Sequence, residues 1–351
     1  MMSDSKDSKV DVDTGDAVDT GEAVDTGDAV DAKKDIVFRT SVGGQALIEG
    51  VMMRGPKLQS VVVRTKDGFV KKTEELKLPK DKYPIVGVIF IRGVVNLFSS
   101  MAVGMKAMMF SAEQMPEEEQ EEPSKFDKWV EEKLGSEKAE KVIITLAIVL
   151  GVALSIGLFM LLPTFLAGLF SKFIESAILR NLTEGVLRIV IFLTYMWLAT
   201  RLNDIKRVWG YHGAEHKAIF CYEKGLPLTL ENVKAQSRLH PRCGTSFMFI
   251  VMIVSILVFS FTRWEHEAFT NWQNTLIRMG LRIALIPVVV ALSYEVIKLA
   301  GRYDNWLTRI VSAPGKAMQR LTTREPDDGM IETAIEALSL VIPENAEEAK
   351  W

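Results

Sequence analysis

Histidine and cysteine, the side chains that most readily bind transition metals, are concentrated in one part of this 351-residue chain. The chain contains four histidines and two cysteines, and five of these six residues lie between positions 212 and 243. They are His212, His216, Cys221, His240 and Cys243. This concentration predicts a site for a divalent metal ion.

Within this cluster, residues 212–216 have the form H-x-x-E-H, with His212 and His216 as its ends. Residues 205–223 fit a helix that ends near Gly225, and this spacing then puts the two imidazoles one turn apart on one face. Inverted zinc-hydrolase motifs have the same order of residues. Cys221 would lie about 180° away from His212 around the helix. We therefore expect Cys221 not to share a metal ion with the histidines.

A catalytic zinc ion takes three protein ligands and keeps one coordination position open. His212 and His216 supply two of them. The candidates for the remaining ligand are Cys243, His240, Glu223 and Glu295. Glu215 would be the general base that removes a proton from water. Glu295 can instead pair with Lys298 at a helix end.

Four further polar residues are candidates for substrate binding. Arg242 has the charge to bind an anionic group. The segment 43–56 contains four glycines and a proline, which indicates tight turns. Its polar residues Gln45, Glu49 and Arg54 can point into a site. A glycine-rich turn that only connects strands is an equal alternative.

The metal-type cluster has other interpretations. His212, His216, His240 and Cys243 can close a structural zinc site with four ligands, which would join the segment to membrane helices without catalysis. The two helix histidines can also form hydrogen bonds at the level of the lipid headgroups. A thiol nucleophile at Cys243, with His240 as its base, lacks an evident third residue.

Long apolar runs indicate a membrane protein. Hydrophobic residues make up 48% of the chain although 25% of its residues are charged. The predicted spans are about 142–170, 186–202, 245–262 and 276–300. The connections 125–141, 201–246 and 298–324 carry five, eight and six Lys and Arg residues, whereas 171–188 and 263–282 carry three each. The positive-inside rule then places both termini and the metal-type loop 203–244 in the cytoplasm, where thiols stay reduced.

The remaining segments complete the predicted domains. Residues 1–33 form an acidic repeat with a period of six and no aromatic side chains, and we expect them to be disordered. Residues 36–110 combine a small β unit with an apolar segment that Arg92 interrupts, which favours an interfacial or re-entrant helix. Residues 111–141 are a charged linker. Residues 301–351 are a cytosolic tail with an amphipathic helix that Asp327 or Asp328 can cap.

The chain resembles the YqhQ-like family, uncharacterised bacterial membrane proteins that are predicted to be metal-dependent enzymes. The matching strings are Gly43 to Ala46, Glu49 to Gly55, Tyr211 to Lys217, His240 to Phe247, Ser293 to Glu295 and Leu321 to Pro326. The similarity runs roughly from Ile36 to Leu340 and leaves out the acidic repeat. It implies a polytopic membrane protein with a metal site and supplies no substrate.

The sequence therefore predicts a mainly α-helical, polytopic integral membrane protein with about four spans and a small β-containing cytosolic unit. Its predicted function is that of a metal-dependent hydrolase at the cytosolic membrane face. Zinc suits these ligands best, and iron and manganese are alternative metals for the site. The alternative is a non-catalytic scaffold or regulatory protein with a structural zinc. The expected partners are the lipid bilayer and an unknown substrate, without nucleic acid.

Overall fold

Helices make up most of the chain in the structure, a computed structural model. The structure describes residues 9–13, 36–77, 83–116, 125–170, 174, 176–240, 243–260, 270–302 and 305–349. The chain divides into two units. The first unit combines Met1–Met115, Ala199–Val251 and Val290–Trp351, and the second combines Pro116–Leu198 and Met252–Val289.

The helices are numbered here in chain order. They are α1 (Ile91–Glu113), α2 (Lys125–Leu134), α3 (Ser136–Ile156), α4 (Leu162–Leu169), α5 (Ala177–Ala199), α6 (Asn203–Glu223), α7 (Leu230–Lys234), α8 (Gly244–Ser260), α9 (Asn271–Arg302), α10 (Trp306–Thr322) and α11 (Asp328–Ser339). A π-helical turn, Gly157–Leu161, joins α3 to α4.

The β-branched segment of the first unit folds into an antiparallel sheet. Its strands are β2 (Gly43–Leu47), β3 (Gly50–Arg54), β4 (Leu58–Thr65) and β5 (Gly68–Glu75), connected in sequence by hairpins. The predicted hairpin has Thr65 paired with Gly68 across its turn. The segment β1 (Lys9–Asp13) pairs with β5, which gives the order β1-β5-β4-β3-β2. The rest of the predicted disordered segment 1–33 lies outside the described residues.

Both faces of this sheet are covered, which explains the nearly continuous apolar strings in β3 and β4. One face carries Val51 and Val62 into a core that also contains Tyr211 of α6 and Ile331 of α11. The other face packs against Ala107 of α1. The sheet therefore holds α6 in place from one side.

The tail helix α11 begins where its sequence predicts. The Asp327 carboxylate, one of the two predicted caps, accepts a hydrogen bond from the backbone N–H of Met330 at 2.8 Å. Ile331, Ala334 and Leu338 are buried against the sheet and α6. This helix closes the core of the first unit.

Four helical stretches of the described chain are long and apolar enough to cross a membrane. They are Ile91–Glu113, Val142–Leu169, Leu179–Ala199 and Leu276–Leu299. The apolar part of α8, Phe247–Ser260, is shorter. Together with the small sheet, these stretches confirm the predicted fold class, a mainly α-helical polytopic membrane protein with a β unit.

The stretches differ in detail from the predicted spans. The stretch Leu179–Ala199 begins seven residues before the predicted start at 186 and includes Glu184 and Arg188, which form an ion pair with each other. The segment predicted as 245–262 is the shorter helix α8. Helix α1, expected to be interfacial or re-entrant, also has the length of a span.

Candidate metal centre

Helix α6 carries the H-x-x-E-H residues in the interior of the first unit. It spans Asn203–Glu223, close to the predicted 205–223, and the chain turns away at Gly225 with a φ of +60°. Every residue from Gly210 to Ile219 is buried. Gly213 permits this packing, because a Cβ atom there would overlap the backbone oxygen of Arg324.

Backbone carbonyl groups orient both histidines of the motif. His212 Nδ1 donates to the carbonyl oxygen of Thr322 at 2.7 Å, and His216 Nδ1 donates to that of Arg238 at 2.5 Å. Because a carbonyl oxygen only accepts, Nδ1 of each neutral ring carries the proton and Nε2 presents a lone pair. Metal-binding histidines are held in this way by their second nitrogen.

The two imidazoles and one thiol converge. His212 Nε2 lies 3.1 Å from Cys243 Sγ, and the ligand atoms of His212, His216 and Cys243 all lie within 4.8 Å of one another. His216 Nε2 is buried and has no hydrogen-bond partner within the described part of the chain. Burial lowers the pKa of His216, which keeps the ring in the neutral form that binds metals. Two histidines and one cysteine are the donor set of a zinc-type site.

Glu215 lies beside this group and is also buried. Strand β2 positions it, because the backbone N–H of Gly44 donates to its carboxylate. Burial raises the pKa of the Glu215 carboxyl to about 7, while His212 lowers it, Cys243 raises it and the Gly44 hydrogen bond lowers it. A carboxyl group with such a pKa exchanges protons readily near neutral pH.

His240, a predicted ligand, lies next to His216 but outside the group of three donors. The centroids of their rings are 5.7 Å apart. His240 Nε2 faces Glu223 Oε2 at 3.3 Å, and the Glu223 carboxylate also accepts the backbone N–H of Thr40 at 2.9 Å. Burial, and then Lys316, lower the pKa of His240. A neutral His240 therefore donates to Glu223 in this arrangement.

Glu295, another predicted ligand, binds an arginine instead. Arg92 Nε lies 2.7 Å from Glu295 Oε1, and Arg92 Nη2 lies 2.5 Å from Oε2. Next to this pair, Asn96 donates to the Tyr294 hydroxyl at 2.9 Å. Both carboxylate oxygens thus join α9 to α1, and the structure does not bring Glu295 into the group of three donors.

The comparisons with known proteins agree with the resemblance in the sequence motifs. Residues 88–344 match the family model described as "Protein of unknown function (DUF1385)". The chain belongs to this DUF1385 family. It is 34% identical to "Uncharacterized protein YqhQ" of Bacillus subtilis (strain 168) over 304 residues, which cover 85% of this chain and 91% of that protein. No solved structure matches the chain.

In this DUF1385 protein, Glu49 joins the sheet to α6. It occupies the β2–β3 turn with a φ of 49°. Arg207 binds both of its carboxylate oxygens, with Nη2 at 2.5 Å from Oε2, and the Tyr211 hydroxyl donates to it at 3.1 Å. The turn residue predicted for substrate binding thus makes structural contacts at the N-terminal half of the motif helix.

The other predicted substrate-binding residues make contacts with α1 or lie outside the described chain. Arg54 Nη1 donates to Ser100 Oγ at 3.2 Å. The Gln45 amide packs against Gly104. Arg242 lies outside the described residues. The glycine-rich segment therefore contributes to the candidate centre through the Gly44 backbone.

Cys221 lies where helix geometry predicts, away from the donor group. Its thiol is buried in the core between sheet and helices and donates to the carbonyl oxygen of Pro227 at 3.4 Å. Burial raises the pKa of this thiol to about 11. Cys221 is thus a packing residue in this structure.

The sequence did not identify the backbone groups that support the centre. The carbonyl groups of Thr322 and Arg238 leave no side-chain signature. A weak signal existed, because Thr322 belongs to one of the strings shared with the family. Lys217 joins α6 to the end of α7 and to the segment after α10. Its buried ammonium group pairs with Glu325 and donates to the carbonyl oxygen of Lys234 at 2.8 Å.

Proposed function

We propose that this protein is a metal-dependent enzyme, a hydrolase that acts at the cytosolic face of the membrane. One observation carries the proposal: His212 and His216 are held by backbone carbonyls with their Nε2 atoms directed to Cys243, beside the buried carboxylate of Glu215. Two imidazoles, one thiolate and a nearby carboxylate are the parts that a zinc hydrolase requires.

In this proposal each residue has one task. His212, His216 and Cys243 hold a divalent metal ion, for which zinc suits the donor types best. When bound, such an ion polarises water and a substrate oxygen. Glu215 accepts a proton and returns it to the leaving group, and the Gly44 N–H fixes the carboxylate in place.

The core of the first unit supports the proposed side of the membrane. Strands β2–β5, α6 and α11 share one core, so they lie on one side of the bilayer. The chain must then cross the membrane an even number of times between β5 and α6, and again an even number of times between α6 and α11. Helices α8 and α9 lie in the second interval, and we propose that both cross, since α9 contains a 24-residue apolar stretch.

The chain between β5 and α6 contains three long apolar helical segments, of which an even number, two, can cross. They are α1, the continuous α3–α4 segment and α5. We assign helix α1 to the side of the sheet, which leaves the α3–α4 segment and α5 as the proposed crossings. Near the C-terminal end of α1, Ser111 donates to the carbonyl oxygen of Ile48 in the β2–β3 turn of the sheet. Near the N-terminal end of α1, Arg92 binds Glu295, which lies toward the C-terminal end of α9. The positive-inside rule then assigns the shared side to the cytoplasm.

A structural zinc site in a non-catalytic scaffold or regulatory protein is the second candidate. The exposed fractions of His212, His216 and Cys243 are only 7%, 1% and 8%. Closed structural sites show such burial, whereas catalytic sites keep an open position. The two candidates therefore differ in whether a small molecule can reach the ion.

Metal analysis of the purified chain tests the site itself. Two buried cysteines give a matched pair of variants: Cys243→Ser should lose most of the bound metal, whereas Cys221→Ser should keep it. The measurement is metal per chain by mass spectrometry of elements. If the unsubstituted protein carries no stoichiometric metal, both candidates fail and the histidines are only hydrogen-bonding groups.

A second experiment separates the enzyme from the scaffold. The enzyme proposal requires that Glu215→Gln retains the metal and that the visible spectrum of the cobalt-loaded protein changes when acetohydroxamate is added. A spectrum that does not respond to this ligand supports the closed structural site. Release of the metal by Glu215→Gln would make Glu215 a ligand and contradict its role as a base.

A further inference from the structure

Helix α10 (Trp306–Thr322) exposes an apolar face outside the four stretches that are long enough to cross a membrane. Trp306 is 73% exposed, the highest value for any large apolar side chain in the described part of the chain, and Ile310 is 59% exposed. Ala313 and Ala317 are exposed as well. At 100° per residue, these four residues lie within about 60° of one another around the helix. They form the outer face of α10.

The opposite face of α10 is fixed to the rest of the first unit. Met318, Gln319 and Thr322 are buried on that side. The Gln319 amide donates to the carbonyl oxygen of His240 at 2.7 Å, and the Thr322 carbonyl oxygen accepts a hydrogen bond from His212 at 2.7 Å. Because a rotation of the helix would break both hydrogen bonds, the outer face cannot turn toward the protein interior.

The sequence keeps this outer face close to a bilayer. The apolar stretch Leu276–Leu299 ends seven residues before Trp306, and seven residues reach at most about 25 Å. Asn305 and Thr308 form a capping box, which fixes the start of the helix at Trp306. Tryptophan is enriched at the membrane–water interface, where its ring lies among the lipid headgroups. A helix with an apolar outer face at this level is typical of the helices that lie in the membrane surface.

The charges of α10 indicate the type of partner. The helix contains Arg309, Lys316 and Arg320 but no Asp or Glu. Lys316 and Arg320 are exposed, and helix geometry places them along one edge of the outer face. An interface between two copies of α10 would bring like charges together without an acidic residue on either helix, which is unfavourable. An anionic lipid surface supplies the opposite charge together with an apolar layer.

We propose that the outer face of α10 binds the surface of a bilayer that contains anionic phospholipid. In this arrangement Trp306 and Ile310 insert at the boundary between headgroups and acyl chains, and Lys316 and Arg320 bind lipid phosphate groups. This surface is separate from the proposed metal ligands. Its binding to lipid requires neither a metal ion nor an enzymatic reaction.

Brominated lipids test the position of Trp306 in the full chain, reconstituted in nanodiscs. Bromine atoms on the acyl chains near the headgroup quench tryptophan fluorescence at short range. The nanodiscs contain phosphatidylcholine and phosphatidylglycerol in equal amounts, and one of the two lipids is brominated in each arm. The chain contains seven tryptophans, so the contribution of Trp306 is the difference between the unsubstituted protein and Trp306→Phe. Gel filtration and thermal unfolding check that each variant is folded.

Two pairs of substitutions test the role of charge. Lys316→Gln with Arg320→Gln removes two positive charges from α10, and Lys57→Gln with Lys66→Gln removes two from the turns of the sheet as the matched control. In the unsubstituted protein and in the control, we expect brominated phosphatidylglycerol to quench Trp306 more strongly than brominated phosphatidylcholine. The pair on α10 should lower this preference roughly fivefold or more, the factor that one basic residue contributes near an anionic surface.

Three results would overturn this assignment of the outer face. If Trp306→Phe leaves the quenching by both lipids unchanged, Trp306 lies outside the bilayer. If both lipids quench Trp306 equally, or if the pair on α10 keeps the full preference for phosphatidylglycerol, the face does not select anionic lipid. If Trp306 is not quenched by lipid and Trp306→Phe changes the oligomeric state, a second copy of the chain occupies the face instead.

Discussion

Gly44 is the position at which a single methyl group should disturb the candidate centre. A Cβ atom there would lie 2.7 Å from the backbone oxygen of Met52 and 2.9 Å from both Glu215 Cγ and Met53 Sδ. The thioether can move aside, but the strand backbone cannot. We expect Gly44→Ala to push the Glu215 carboxylate from its place and to cost about 1–3 kcal/mol of folding free energy, the usual range for overpacking.

The neighbouring glycine gives a matched control, because a Cβ atom on Gly43 would meet no atom within 4 Å. Each kcal/mol corresponds to about 2–4 °C in the unfolding midpoint of a unit of this size class. Thermal unfolding in micelles, followed by tryptophan fluorescence, should therefore show a lower midpoint for Gly44→Ala than for Gly43→Ala. Metal content should be equal in both variants, since Glu215 is not a proposed ligand. Equal midpoints would refute the packing of β2 against Glu215.

Two further predictions concern the support and the chemistry of the donor group. Gly213→Ala would displace the backbone oxygen of Arg324 and weaken the nearby hydrogen bond between the Thr322 carbonyl and His212. We expect the affinity for the metal, measured by competition with a chromophoric chelator, to fall roughly 10–100-fold. An unchanged affinity would contradict this role of the Thr322 carbonyl. Iodoacetamide at pH 7.5 should modify Cys243 only after the metal is chelated. It should leave Cys221 unmodified in the folded protein, because burial raises the pKa of that thiol to about 11. Peptide mass spectrometry identifies the modified cysteine, and modification of Cys221 before Cys243 would contradict this prediction.

Local signals were enough to predict the elements of this fold. The H-x-x-E-H helix and the hairpin from residue 58 to 75 lie close to their predicted positions because periodicity and turn residues are local properties. The predicted second span, 186–202, starts later than the apolar stretch Leu179–Ala199, which includes the charged residue Glu184. A sequence scan treats Glu184 as a charge in lipid, whereas the folded helix pairs it with Arg282 from a distant segment.

At the candidate centre, too, the sequence predicted local relations between residues but not contacts between distant segments. Helix geometry was sufficient to associate His212 with His216 and to exclude Cys221 from their face. It could not select among the distant candidates, since the partner of Glu295 is Arg92, 203 positions away. Backbone groups that orient side chains, such as the Thr322 carbonyl, have no identity in a sequence and emerge only from the folded chain.

The separation of these supporting groups along the chain has a consequence for biosynthesis. The carbonyl that orients His212 belongs to Thr322, 110 positions downstream, and the amide that holds Glu215 belongs to Gly44 near the start of the described sheet. A nascent chain that has been synthesised as far as the end of α9 already contains every proposed ligand but lacks the carbonyl that orients one of them. If His212, His216 and Cys243 bind a metal ion as proposed, high-affinity loading would follow synthesis of the tail, and only completed chains would retain the ion.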